Sequence, residues 1–173
     1  MIDAFGIAMK QKDNLEYYAV INFISEYNRT HKRQLHFVRQ AEPPEPDIIC
    51  LYNKKEIGIE VAHTYGSGEE AAIRLGNRNS EDFPEAIHRK RRITPVNIRA
   101  LNSLNTIMAK KVDKKYEVSP MWLLIRNGFP LWSLSDYQNY KENIFIPKET
   151  PFHQIWLLCD ENSVKPHGIM RII

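Results

Sequence analysis

Cysteine is scarce in this chain. Among 173 residues there are two, Cys50 and Cys159. Neither belongs to a Cys-x-x-Cys pair or a Cys/His cluster, which excludes a zinc-finger type of site. Both lie in apolar runs, Ile48-Ile49-Cys50-Leu51 and Trp156-Leu157-Leu158-Cys159, so they read as small core residues in a reducing, cytoplasmic setting. No apolar run approaches the roughly 18 residues a membrane span needs. No basic region followed by an apolar stretch opens the chain, so no signal peptide is expected. There is no Gly-x-Ser-x-Gly elbow for a nucleophilic serine, and Gly66-x-Gly68 is too short to cradle a nucleotide. Internal repeats and low-complexity tracts are absent. Net charge is small, +3, so bulk charge alone does not point to nucleic acid, and the placement of the cations has to carry that argument.

What is present is a balanced globular composition, 43% hydrophobic and 26% charged. With this length it implies one domain, 1–173, that can bury a real core. Residues 1–13 are mixed. Residues 14–28 read as a helix, because Tyr17, Val20, Ile21, Phe23, Ile24 and Tyr27 fall on one broad face, with Asp13 or Asn14 available as N-cap. Leu35–Val38 is a short strand, and Gln40–Pro46, with three prolines, is extended. Asp47–Tyr52 and Ile57–Ala62 are strands joined by the polar loop 53–56. The stretch 64–96 lacks sustained periodicity and reads as a long insertion with some mobility. A second helix spans 96–116. Met121–Ile125 is apolar almost throughout, as a central strand is. A short helix at 136–140 and strands at 155–158 and 169–173 complete the order. The expectation is an α/β fold with a mixed central sheet flanked by helices.

The hairpin carries the chemistry. If Tyr52 pairs with Ile57, Asp47 lies opposite Ala62 and is a diagonal neighbour of Glu60 on the same face, roughly 7 Å away at the backbone. A slip of one residue would separate the two acids. Carboxylates at that spacing can converge on one divalent ion. Phosphodiester hydrolysis needs a Lewis acid at the phosphoryl oxygens and an activated water, and Mg²⁺, held by a few carboxylates and waters, supplies both.

Glu45-Pro46-Asp47, a short apolar strand, a turn, and Ile57-Gly58-Ile59-Glu60-Val61 resemble the core of the PD-(D/E)XK nuclease superfamily. Pro46-Asp47 matches the "PD" and Glu60 the acid of the second strand, with the likeness running over residues 15–125. The resemblance implies a restriction-endonuclease-like core, Mg²⁺ or Mn²⁺ as cofactor, and cleavage of nucleic acid, with DNA favoured over RNA. It also implies pairing of two copies where two strands are cut. The superfamily lysine stands two residues after the acid, where this chain has Ala62. Some members supply it from the following helix.

That helix offers a replacement. On a wheel of about 100° per residue, Leu101, Leu104, Ile107, Met108 and Val112 define the apolar face. Lys111 falls about 20° from Leu104 on the same wheel, and Lys115 lies inside the stripe as well. An inward lysine needs a partner, because burying its charge alone is costly, and an acidic metal site is one. Lys111 is therefore the candidate catalytic cation and Lys115 the reserve. On the first helix Glu16 points with the apolar face, matching the superfamily's first-helix glutamate that completes the metal shell. It also suits an ordinary first-turn acid. Glu45 reads as a solvated edge residue, and His63 as a partly exposed strand-end histidine close to the site. Arg89, Lys90, Arg91 and Arg92, with Lys115, are candidate contacts for a nucleic-acid backbone. The alternative function is a catalytically inactive nuclease-fold protein that binds nucleic acid or protein, and Ala62 is the feature favouring it.

Overall fold

The computed structural model describes residues 4–64, 96–129, 132–161 and 165–173. Its elements are α1 (Ala4–His31), β1 (Leu35–Gln40), β2 (Ile48–Tyr52), β3 (Lys55–Thr64), α2 (Val96–Lys111), β4 (Met121–Asn127), α3 (Leu134–Asn139), β5 (Phe152–Glu161) and β6 (Lys165–Arg171). The strands form one open sheet in the order β1-β2-β3-β4-β5-β6. β1, β2 and β3 pair antiparallel, β3, β4 and β5 run parallel, and β6 returns antiparallel. This is the mixed sheet flanked by helices that the element order implies. β4 is buried along its whole length, as expected of an apolar strand covered on both faces.

Alternation along the strands divides the core in two. On one face Ile57, Ile59 and Val61 of β3, with Trp122, Leu124, Trp156 and Leu158, pack beneath Ala19, Val20, Phe23 and Tyr27 of α1. On the other, Ala62 of β3, with Leu123, Ile125 and Leu157, meets Ala100, Leu104 and Met108 of α2. The two cysteines fall on opposite faces, Cys50 under α1 and Cys159 under α2. Both are free and buried, and burial pushes each thiol up to about 12, so they are inert packing residues.

Most element boundaries differ from the sequence reading by a few residues, and the larger changes are these. α1 begins at Ala4, well before residue 14. Its end is fixed by Asn28, whose side chain donates to Leu35 O at 2.9 Å and accepts from Leu35 N at 2.8 Å, tying the helix to β1. α2 stops at Lys111 and not at 116, and the chain turns there, with Lys114 N donating to Lys111 O. The hairpin turn is two residues long, not four. Asn53 and Lys54 both take positive φ, 50° and 66°, the conformation of a two-residue turn matched to strand twist. Tyr52 therefore pairs with Lys55 and Ile48 with Ile59. The register moves by two residues, an even step, so every side chain keeps the face the pattern gave it.

β3 also needs a glycine. A Cβ on Gly58 would sit 2.3 Å from Met121 Sδ and 2.7 Å from Pro46 Cγ. The bare backbone lets Pro46 close over β3 and sets the chain just before Asp47 against the strand that bears Glu60.

The expected insertion at 64–96 lies outside the described residues, except that Thr64 ends β3 and Val96 begins α2.

Candidate active site on the α2 face

Continuing the β2–β3 register by one residue brings Asp47 opposite Glu60, directly across the hairpin and not on the expected diagonal. Asp47 closes the pairing with its side chain, Oδ2 accepting from Val61 N at 2.8 Å. Glu60 lies on the same face as Ala62, toward α2, and is 4% exposed. A carboxylate this deep needs compensation.

The compensation comes from the end of α2. Lys111 Nζ donates to Glu60 Oε1 at 2.5 Å, and Lys114 Nζ donates to the same oxygen at 2.7 Å. Lys111 follows Leu104 and Met108 along the inward stripe of the helix, which is why it reaches the sheet. Lys114 arrives by another route, through the turn after Lys111. Burial alone would raise the Glu60 carboxyl's pKa, but the hydrogen bonds and charges of the two ammonium groups outweigh it and hold the group below its ordinary value. For Lys114, desolvation works against the charged form, and the bond to Glu60 more than offsets it.

Tyr116 completes the cluster. Burial pushes its hydroxyl strongly upward in pKa, reinforced by the negative charges of Glu60 and Asp47. The oxygen is shielded from solvent and makes no hydrogen bond of ordinary geometry, while the ring packs against Phe152 with centroids 5.5 Å apart and planes tilted by 52°. A buried hydroxyl without a well-formed bond costs about 1–3 kcal/mol. Tyr116→Phe is therefore expected to leave stability unchanged or raise it by about 1 kcal/mol, read by urea denaturation. A loss of 2 kcal/mol or more would mean that the hydroxyl is bonded after all.

The structure thus brings together Asp47, Glu60 and Lys111, and adds Lys114 and Tyr116, which sequence reasoning did not select. Lys115 is exposed, because the helix has ended before it and the wheel no longer applies. Glu16 is buried on α1, in line with Val20 and Phe23, and that helix covers the opposite face of the sheet. His63 alternates onto the α1 face too, beside Arg126 in the parallel register. Glu45 forms a two-pronged ion pair with Arg39, at 2.6 and 3.0 Å, away from the site. Arg89, Lys90, Arg91 and Arg92 lie outside the described residues. Among the described residues no group of three or more His, Cys, Asp and Glu side chains is placed to hold a metal ion. Among them too, no helix is long and apolar enough to cross a membrane.

Comparison with protein-family models, with curated proteins and with solved structures gives no match. The functional reading therefore rests on this chain's own residues.

Proposed function

We propose that this chain is a metal-dependent nuclease with a restriction-endonuclease-like core, whose hydrolytic site is Asp47, Glu60 and Lys111. The observation that carries the reading is the ion pair from Lys111 to the buried Glu60. A lysine stands beside the strand acid, delivered by the following helix, in a chain whose strand position for it is Ala62.

The donor set suits Mg²⁺ or Mn²⁺. Two carboxylates from neighbouring strands are hard oxygen ligands, and Mg²⁺ commonly takes one or two carboxylates and fills its shell with water. When bound, the ion would polarise the phosphoryl oxygens and supply a nucleophilic water. The chain's own residues do the rest. The Val61 N–H fixes the orientation of the Asp47 carboxylate. The two ammonium groups hold Glu60 ionised, hence able to act as a ligand at neutral pH. Each ammonium has three donors, so Lys111 and Lys114 can bind Glu60 and still offer hydrogen bonds to phosphate oxygens, stabilising charge as it develops. DNA is the favoured substrate over RNA. Arg89–Arg92 and the exposed Lys115 would bind its backbone, and two copies would act together on duplex. Glu16, on the face covered by α1, would complete the metal shell by reaching around the end of the sheet.

A second reading has its own support. Both ammonium groups bond the same oxygen of Glu60, and Ala62 is packed into the core. A nuclease fold that binds without cutting would look the same. Incubating the protein with plasmid, linear and single-stranded DNA and with RNA, in Mg²⁺ or Mn²⁺, separates the two readings. Cutting that disappears in an Asp47→Ala/Glu60→Ala variant is the expected result. Binding without cutting would favour the second reading, and neither activity would refute both.

A further inference from the structure

Beside the site runs a groove that its residues do not use. It is open to solvent, with a volume of about 520 Å³, within the usual range for a small-molecule site. Val112 and Asp113 form one wall, and Phe145, Pro147, Lys148 and Glu149 the other. Val112 and Asp113 are the residues between Lys111 and Lys114, so this wall is the turn that delivers both lysines to Glu60. The opposite wall is anchored to the same helix. Asn105 of α2 accepts from Phe145 N at 2.8 Å and donates to Asn143 O at 3.1 Å. Six residues further along α2, roughly 9 Å at the helical rise, stands Lys111. One rigid element therefore spaces the groove from the hydrolytic cluster.

Phe145 is the unusual member. Its neighbour Ile144 is buried, yet Phe145 is 45% exposed on a backbone pinned by the Asn105 bonds. Exposed aromatic rings held rigidly beside lysines are what single-stranded nucleic acid uses, since bases stack on the ring while cations track the phosphates. Lys148 lines the groove, and Lys111 and Lys114, which flank its Val112–Asp113 wall in the chain, supply cations at the cluster. Asp113 and Glu149 make the groove itself unsuited to phosphate but suited to a base edge, whose amino and imino groups donate to carboxylates.

We propose that this groove takes an unpaired nucleobase of the strand whose phosphate lies at Lys111 and Lys114, with Phe145 as the stacking platform. The proposal rests on the nuclease reading and narrows its substrate to nucleic acid that is single-stranded next to the cut.

Fluorescence anisotropy with labelled oligonucleotides, in Ca²⁺ in place of Mg²⁺ and at low salt, tests it. Wild type is expected to bind a single strand more tightly than the matching duplex. Phe145→Ala should weaken single-strand binding roughly five- to a hundred-fold, and Phe145→Trp should restore it. The ring is exposed, so the variants should keep the wild-type melting temperature. Oligonucleotide binding that ignores Phe145→Ala overturns the groove proposal and leaves the nuclease reading standing. No nucleic-acid binding by wild type overturns both. Light scattering adds a further arm: self-association abolished by Phe145→Ala would assign the groove to a second copy of the chain and overturn the proposal.

Discussion

A variant with alanine at both Lys111 and Lys114 is expected to lose about 3–5 kcal/mol of stability, because it leaves the Glu60 charge buried and unpaired. Exposed ion pairs are worth little, about 0–1 kcal/mol, and Lys114 is half exposed at 51%. The effect comes from the other partner, with 5% of its side chain in contact with solvent. Each single substitution should cost much less than half of the double, since the remaining ammonium still serves the same oxygen. The thermodynamic cycle should therefore be strongly non-additive.

The same reasoning fixes a pH dependence. With both lysines present, the folded pKa of Glu60 lies below its ordinary value of 4.5. Its stabilising contribution is then complete above that value and is lost as pH falls through the lower, folded one. Without the lysines, burial is unopposed and the folded pKa rises above 4.5, so the penalty appears only as pH climbs past 4.5. The stability gap between wild type and double variant should be wide at pH 7 and narrow at pH 4. Urea titrations at the two pH values measure it, and an equal gap at both would mean that Glu60 is not the group being neutralised.

The second large effect follows from the proposed nuclease function and is on catalysis. Lys111→Ala should keep its fold, because Lys114 still pairs with Glu60, and should lose about 10²–10³-fold in kcat, the usual consequence of removing one preorganised group that stabilises developing charge. Adding Ala62→Lys to that variant puts an ammonium where the resemblance would have it, two residues beyond Glu60 on the same face. Partial recovery of cleavage would identify the missing function as the cation itself. Full activity of folded Lys111→Ala in a single-turnover assay would remove Lys111 from the mechanism.

Much of this site could be read from the sequence, for reasons that also mark where the reading stopped. Alternation put Asp47 and Glu60 on one face, and that survived an incorrect turn because the error was an even number of residues. The turn itself was hard to see: Asn53 suits a positive φ, but Lys54 occupies the place where glycine would have announced a two-residue loop. Helical spacing turned Lys111 inward and an inward lysine called for an acid, which Glu60 is. Lys114 was out of reach of that method. Nothing in Lys110-Lys111-Val112-Asp113 breaks a helix by composition, so a helical wheel runs past the true end of α2 and points to Lys115. Glu16 shows another limit. Periodicity tells which side of a helix is buried but not which face of the sheet it covers, and α1 covers the face away from Glu60.

The margins of the sheet have a consequence for handling this protein. β1 is an outer strand whose register against β2 breaks between Phe37 and Arg39, with Val38 turned to solvent and Arg39 clamped by Glu45. At the far margin β6 breaks register against β5, and Gly168 there takes a φ of 137°. Among the described residues, neither border of the sheet offers the flat, regular row of amide groups that recruits another chain into a growing fibril. The six described strands should thus not polymerise edge to edge at the high concentrations that scattering and crystallisation demand.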